Sequence, residues 1–185
     1  IITGGIDLSV GTHVGLAGMI VAILIIQAGM NMCLAMLIAI AACALVGFLN
    51  GVMVYDGKLP PFIATLGSLT ITRAVIMLIS NARNITGFDK ISPEFLQIAK
   101  TTLGVRVTDA NGAGTTYGVP LMALAWIVVI LVAYFIVKNT IFGRSIFAVG
   151  SNMEAARLSG ISLRKTIYGA YIFSGILCGI GGILL

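Results

Sequence analysis

The chain has 185 residues, 59% of them hydrophobic and only 9% charged, with a mean hydropathy of +1.11, which excludes a soluble domain of ordinary make-up. Its net charge of +5 sits in polar stretches and at the ends of apolar runs, as orientation signals do, and leaves no nucleic-acid footprint. Cys33, Cys43 and Cys178 fall inside apolar segments without CxxC spacing, so they read as small buried side chains and not as a zinc site or a disulfide framework.

The chain opens on Thr3-Gly-Gly-Ile-Asp7-Leu-Ser9-Val-Gly11, a carboxylate, a hydroxyl and three glycines at the mouth of an apolar run. Asp7 or Ser9 is placed to cap the helix that follows, and the glycines permit an irregular approach to it. An acid at membrane depth also reads as a pathway residue or as a tie to a neighbouring helix, and the chemistry alone leaves both readings open.

From residue 8 to residue 55 there is no Lys, Arg, Asp or Glu, a run of 48 residues. One crossing helix needs about 20, so two spans are predicted, near 10–26 and 32–54, with a tight turn at Gln27, Gly29 and Asn31. His13 has no ligand-type residue at metal spacing and reads as a polar group near a helix contact. A third span, 61–80, opens on Pro60-Pro61. It carries Thr65, Ser68 and Thr72 on one helical face. Their hydroxyls either bond carbonyls one turn back and bend the helix or line a polar conduit. Arg73, mid-span, is expected to face protein or water, or to snorkel, with Asp7 a conceivable partner.

Residues 81–118 are polar and rich in Gly, Asn and Thr, and are expected to form an exposed loop with a short helix over 93–100. Two further spans, 119–137 and 167–185, carry no charge and bracket residues 139–165. That bracketed loop holds Arg144, Arg157, Arg164 and Lys165 against Glu154, a net of +3, while 81–118 has a net of +1. The excess places 139–165 in the cytoplasm, and counting alternations puts 81–118 outside, 55–60 inside and 27–31 outside. Gly11 with Gly15, Gly47 with Gly51 and Gly175 with Gly179 stand four apart, as close helix contacts require.

Within the cytoplasmic loop a helix is predicted over 153–159. Asn152 can cap it, or Ser151 with Glu154 as a capping box, and Gly160 supplies a left-handed stop with Ile161 folding back. By composition alone this is an ordinary helix lying on the membrane surface. No nucleophile, acid pair or phosphate loop occurs anywhere, and no GxxxxGK[ST] motif, so the chain is not expected to hydrolyse ATP. There is no signal-peptide pattern at Ile1 and Leu185 stops inside an apolar run, so both ends read as cut.

Three stretches carry a resemblance. Gly143-Arg144, Ala148, Gly150, Asn152, Glu154-Ala155-Ala156 and Ser159-Gly160-Ile161 resemble the cytoplasmic coupling segment of the ribose/galactoside family of ATP-binding-cassette sugar permeases. GGIDLSVG and Leu59-Pro60-Pro61-Phe62-Ile63-Ala64-Thr65-Leu66-Gly67 are similar to two further motifs of that family. The family usually has proline after the asparagine, where Met153 stands here, so the helix start is weaker. Val14-Gly15-Leu16-Ala17 and Ile85-Thr86-Gly87-Phe88-Asp89 look more like the galactose/methyl-galactoside branch than the ribose branch.

The resemblance implies an all-α, polytopic transmembrane bundle, here a fragment of a larger permease in a bacterial inner membrane. It implies a sugar importer working as a permease homodimer, with ATP-binding subunits inside and a sugar-binding protein outside. ATP would be bound by the partner, and the permease itself needs no cofactor. Gly143, Arg144, Asn152, Glu154, Ala155, Ala156, Arg157 and Gly160 would then couple to the ATPase, the small Ala155-Ala156 face docking closely and Arg157 pairing with an acid across the contact. Read from their own chemistry and not from the family, Asp7, Ser9, Thr65, Ser68, Thr72 and Arg73 are the candidates for pathway or hinge residues. The competing class is a secondary transporter or channel subunit, which needs intramembrane charges coupled to ions.

Overall fold

In a computed structural model, residues 2–83, 85, 101–108 and 114–185 are described. Helices dominate: α1 Val10–Ile26, α2 Met32–Tyr55, α3 Pro61–Ile79, α4 Leu121–Asn139, α5 Ile141–Ser151, α6 Met153–Leu158 and α7 Leu163–Leu184. Four of them, α2, α3, α4 and α7, are long and apolar enough to cross a membrane. α1 has 17 residues, about 25 Å at 1.5 Å per residue, the lower limit for a span.

The breaks follow local chemistry. α1 ends before Gly29, which takes φ +62, and Asn31 starts α2 by accepting from the Cys33 N–H at 2.9 Å. Pro61 occupies the first position of α3, where its missing donor and fixed φ suit a helix start. After α2 the chain turns through Gly57 and Lys58, the latter at φ +51.

The stretch expected to be loop over 81–118 contains an antiparallel hairpin, β1 Thr102–Thr108 with β2 Gly114–Pro120, in register from Thr102 against Pro120 to Thr108 against Gly114. Leu103, Val105 and Val107 alternate with Gly104, Arg106 and Thr108, a period-two signal in the sequence. The helix expected over 93–100 lies outside the described residues.

α2 and α7 run antiparallel at backbone contact distance. A Cβ built on Gly51 would lie 3.1 Å from Tyr168 Cα, and one on Gly179 would lie 2.9 Å from Ile40 Cα. Between these levels, Gly47 meets the Tyr171 carbonyl and Gly175 the Cys43 carbonyl with no room for a side chain. The two glycine pairs therefore interlock along one seam, which suits a bilayer, where lipid leaves association to packing. Gly11 and Gly15 do not join such a contact: a Cβ on Gly11 meets nothing within 4 Å, and one on Gly15 meets Ile76 Cδ1 at 3.6 Å. α1 instead approaches α7 through Gly182, whose Cβ would meet the Val14 carbonyl, and Gly18 faces Gly182 in return.

Two apolar clusters form the core. Leu16, Ala17, Ala39 and Cys43 pack between α1 and α2 with Ile76 of α3. Val149, Ala156, Ile167 and Tyr171 pack with Val54, Tyr55, Ala148, Ile161 and Leu163 at the other level, joining α2, α5, α6 and α7. α4 buries none of its residues and exposes Ile127, Val128, Ile130, Leu131 and Phe135, a surface that calls for an apolar cover. Cys43 and Cys178 are buried, whereas Cys33 is exposed in the first turn of α2, contrary to its expected burial, because it follows the turn immediately.

Candidate functional site

One end of the bundle gathers the polar chemistry. The C-terminus of α2, the starts of α3 and α7, the helices α5 and α6, and the segment before α1 all meet there. Arg164 Nη2 lies 2.9 Å from Asp56 Oδ2, Thr65 joins the segment before α1, and Gly150 packs directly under the Ile2 carbonyl.

α5 was not separated from the 139–165 loop by sequence, although its signals are present. Thr140 caps it by accepting from the Gly143 N–H at 3.2 Å, and Gly143, Ile146 and Val149 form a buried stripe. Gly143 has no room for a Cβ because the Val137 carbonyl occupies that space, so its place is in the tight α4–α5 turn. Arg144 is exposed.

α6 has the expected caps. Asn152 Oδ1 accepts from the Ala155 N–H at 3.0 Å. The Ser151 and Glu154 box does not form, since Ser151 is the last residue of α5. At the far end Gly160 takes φ +81. Its N–H donates to Arg157 O, and the Ile161 N–H donates to Ala156 O, both at 3.0 Å, a Schellman closure with Ile161 in the same cluster as Ala156.

Burial divides the expected docking face, since Ala155 is exposed and Ala156 is not. Ala156 is 4% exposed and packs inward with Val149, Ile167 and Tyr171, so it seats α6 on the membrane helices and offers nothing to a partner. The outward face is Met153, Glu154, Ala155, Arg157 and Leu158, with Leu158 82% exposed. Arg157 is already paired with Glu154, Nη2 to Oε2 at 3.0 Å, because the three-residue spacing sets them on one side of the helix.

Asp7 and Ser9 do not cap α1 in the expected way. Asp7 Oδ1 accepts from the Ser9 N–H at 2.9 Å and from the Ser9 hydroxyl at 2.5 Å, an Asx-type turn ahead of the helix that competes with capping. Ser9 Oγ then accepts from Asn50 Nδ2 of α2 at 3.0 Å. Asp7, half-buried, also lines a cavity of about 350 Å³ with Thr3, Ser174 and Phe173.

The hydroxyl face of α3 does turn inward: Thr65, Ser68 and Thr72 are all buried. Thr65 Oγ1 has one proton to give, within reach of Pro61 O at 2.9 Å and Ile6 O at 3.2 Å, and it accepts from the Leu8 N–H at 3.2 Å, which ties α3 to the first segment. Ser68 and Thr72 wall a cavity of about 390 Å³ with Asn50 and Leu16. Asn50, fully buried, was not singled out from sequence; a lone amide in a 48-residue uncharged run was the available signal. His13 is 1% exposed. Its ring nitrogens and Asn50 Oδ1 have no hydrogen-bond partner among the described residues. Arg73 is exposed, and the ion pairs among the described residues are Glu154 with Arg157 and Asp56 with Arg164, so Asp7 and Arg73 do not meet. Among the described residues no group of three His, Cys, Asp or Glu is arranged to hold a metal.

Asp56 collects two donors at once, the Tyr168 hydroxyl and Arg164. The Tyr168 hydrogen bond first, and the guanidinium second, hold its carboxyl below the usual 3.8.

Over residues 1–185 the chain matches the protein family described as branched-chain amino acid transport system / permease component. It is 31% identical over 185 residues to the ribose import permease protein of Bacillus subtilis (strain 168), covering 100% of this chain and 53% of that protein. To the fructose import permease protein of Rhizobium meliloti it is 32% identical over 183 residues, 98% of this chain and 48% of the relative. The D-allose transport system permease protein of Escherichia coli (strain K12) is 32% identical over 185 residues, 100% of this chain and 52% of the relative. The chain thus spans about half the length of these curated relatives. No solved structure matches it.

Proposed function

Since the chain belongs to the family of transport-system permease components, we propose that it forms part of the membrane-crossing permease of an ATP-driven importer of a monosaccharide. The relatives named for ribose, fructose and allose import support the sugar class. The chain is a multi-pass membrane protein, placed by this reading in the bacterial inner membrane with five spans and residues 139–165 in the cytoplasm. Permease components of this kind carry out no chemistry of their own. ATP binding and hydrolysis belong to cytoplasmic partner subunits, a sugar-binding protein delivers from outside, and a second permease copy completes the path.

The observation that carries the reading is the mounting of α6. Its ends are capped by Asn152 and Gly160, Ala156 keys it into the cluster shared with α2 and α7, and Leu158 projects outward. A rigid short helix fixed to the spans on one side, and presenting Leu158 and Met153 beside the ion pair of Glu154 and Arg157 on the other, is suited to receive a push from a docked ATPase and pass it to the bilayer helices. The cavity bearing Asp7, Thr3 and Ser174, walled also by Val137 of α4 and Ile146 of α5, is the part of the path we assign to this chain, a carboxylate and two hydroxyls offering hydrogen bonds to a polyol. A secondary transporter or channel would couple intramembrane charges to ions, and Arg73 and Asp7 stand apart.

The test is reconstitution of the full-length permease with its ATPase and binding protein in liposomes. ATP-dependent uptake of a labelled monosaccharide is expected, with none when ATP is withheld. Uptake driven by an ion gradient without ATP would establish the competing class.

A further inference from the structure

We propose that Asp56, Arg164 and Tyr168 form a latch that carries displacement of α6 across to the start of α3; this rests on the permease reading above. The order of the chain makes the route short. α6 closes through Gly160 and Ile161, and Arg164 follows in the first turn of α7. On the other side Asp56 terminates α2. The turn after it is tight, with the Gly57 N–H donating to Val52 O at 3.0 Å and the Leu59 N–H to Met53 O at 3.2 Å, so movement of Asp56 is passed to Pro60 and α3 instead of being absorbed.

The geometry of the latch is directional. Arg164 Nη2 lies 2.9 Å from Asp56 Oδ2, and the Tyr168 hydroxyl donates to the same oxygen. Residues 164 and 168 stand one turn apart on α7, so both donors face one carboxylate. The guanidinium carbon also lies 5.4 Å from the centre of the Tyr168 ring. That ring is held edge-on by Phe48 at 5.3 Å and Tyr55 at 6.3 Å, both on α2, and Gly51 lets the helix backbones approach beneath it. Side chains of the pair are 61% and 38% exposed, so the pair adds little to fold stability. Such a contact suits a positioning role: weak enough to open and re-form in each cycle, and oriented enough to set the 57–60 turn against the first turn of α7.

The test uses the full-length permease reconstituted with its ATPase and binding protein, reading sugar uptake and ATP hydrolysis together. Asp56→Asn and Arg164→Gln are expected to insert, retain the ATPase and hydrolyse ATP, while sugar moved per ATP falls about tenfold, within the usual range of coupling between sites. The charge-reversed pair, Asp56→Arg with Arg164→Asp, should recover part of that loss. Single variants with unchanged uptake per ATP, or a reversed pair no better than the singles, overturn the latch. If a single variant fails to insert, the Asp56→Cys/Arg164→Cys pair joined by a cleavable dithiol-reactive linker gives the same test: coupling should return on joining and fall on cleavage, and indifference to joining overturns the proposal. A wild-type complex that hydrolyses ATP yet moves no sugar would instead overturn the permease reading.

Discussion

Gly47 of α2 lies directly against the carbonyl of Tyr171 in α7, so close that no Cβ fits between them. The contact is backbone on backbone, and neither helix can yield without tilting the seam that Gly51, Gly175 and Gly179 continue. Gly47→Ala is expected to destabilise by about 1–3 kcal/mol through overpacking, read as a lower midpoint of thermal unfolding in detergent micelles. Gly11→Ala, at a helical position where a Cβ meets nothing, should be neutral or slightly stabilising. Equal effects of the two would show that the seam does not hold the fold.

The two faces of α6 should separate by mutation. Leu158→Asp leaves the inward cluster untouched and is expected to cut retention of the ATPase in a pull-down, with insertion and stability near wild type. Ala156→Trp should behave differently, lowering stability by about 1–3 kcal/mol because the site is full. Normal ATPase retention and uptake in Leu158→Asp would leave α6 a passive connector.

At Asp7 the side-chain oxygen that serves Ser9 can be kept while the charge is removed. Asp7→Asn retains an acceptor for the Ser9 N–H, whereas Asp7→Leu does not. If the carboxylate meets the sugar, Asp7→Asn folds normally and loses most uptake. Uptake that survives Asp7→Asn but not Asp7→Leu assigns Asp7 to the turn alone.

Topology is open to labelling. In a Cys33→Ser background, needed because Cys33 is exposed, Arg83→Cys should react with an impermeant thiol reagent from outside intact cells. Met153→Cys should react only in inverted vesicles. Reaction of both from the same face contradicts the five-span arrangement.

The charge on Asp56 should be insensitive to pH across the working range. Tyr168 and Arg164, both from α7, lower its pKa, and Lys58 follows two residues on. A depressed carboxyl contributes above its unfolded value of 3.8 and is lost only as pH falls through the lower folded value. The uptake defect of Asp56→Asn should therefore be the same size at about pH 6 and about pH 8, comparing each with wild type at that pH. A defect that vanishes at the lower pH would mean that Asp56 is already protonated there.

What the sequence determined by itself is what depends on neighbours along the chain. Apolar runs separated by Gly29 and Pro60-Pro61 set the long helices, because an apolar run in lipid must close its own hydrogen bonds. The caps at Asn152 and Gly160 were legible because a cap is a contact between residues two to five apart. The glycine pairs of α2 and α7 announced close packing by their spacing, yet the same spacing at Gly11 and Gly15 did not produce it. Only the tertiary structure decided between them, since a stripe of small residues becomes a seam only where another helix supplies the matching surface. For the same reason it took the packed fold to turn Ala156 inward and Leu158 outward, to give Asn50 its partner in Ser9, and to bring Asp56 to Arg164 across more than a hundred residues. Each of these depends on which helix faces which, and nothing local to either residue encodes that.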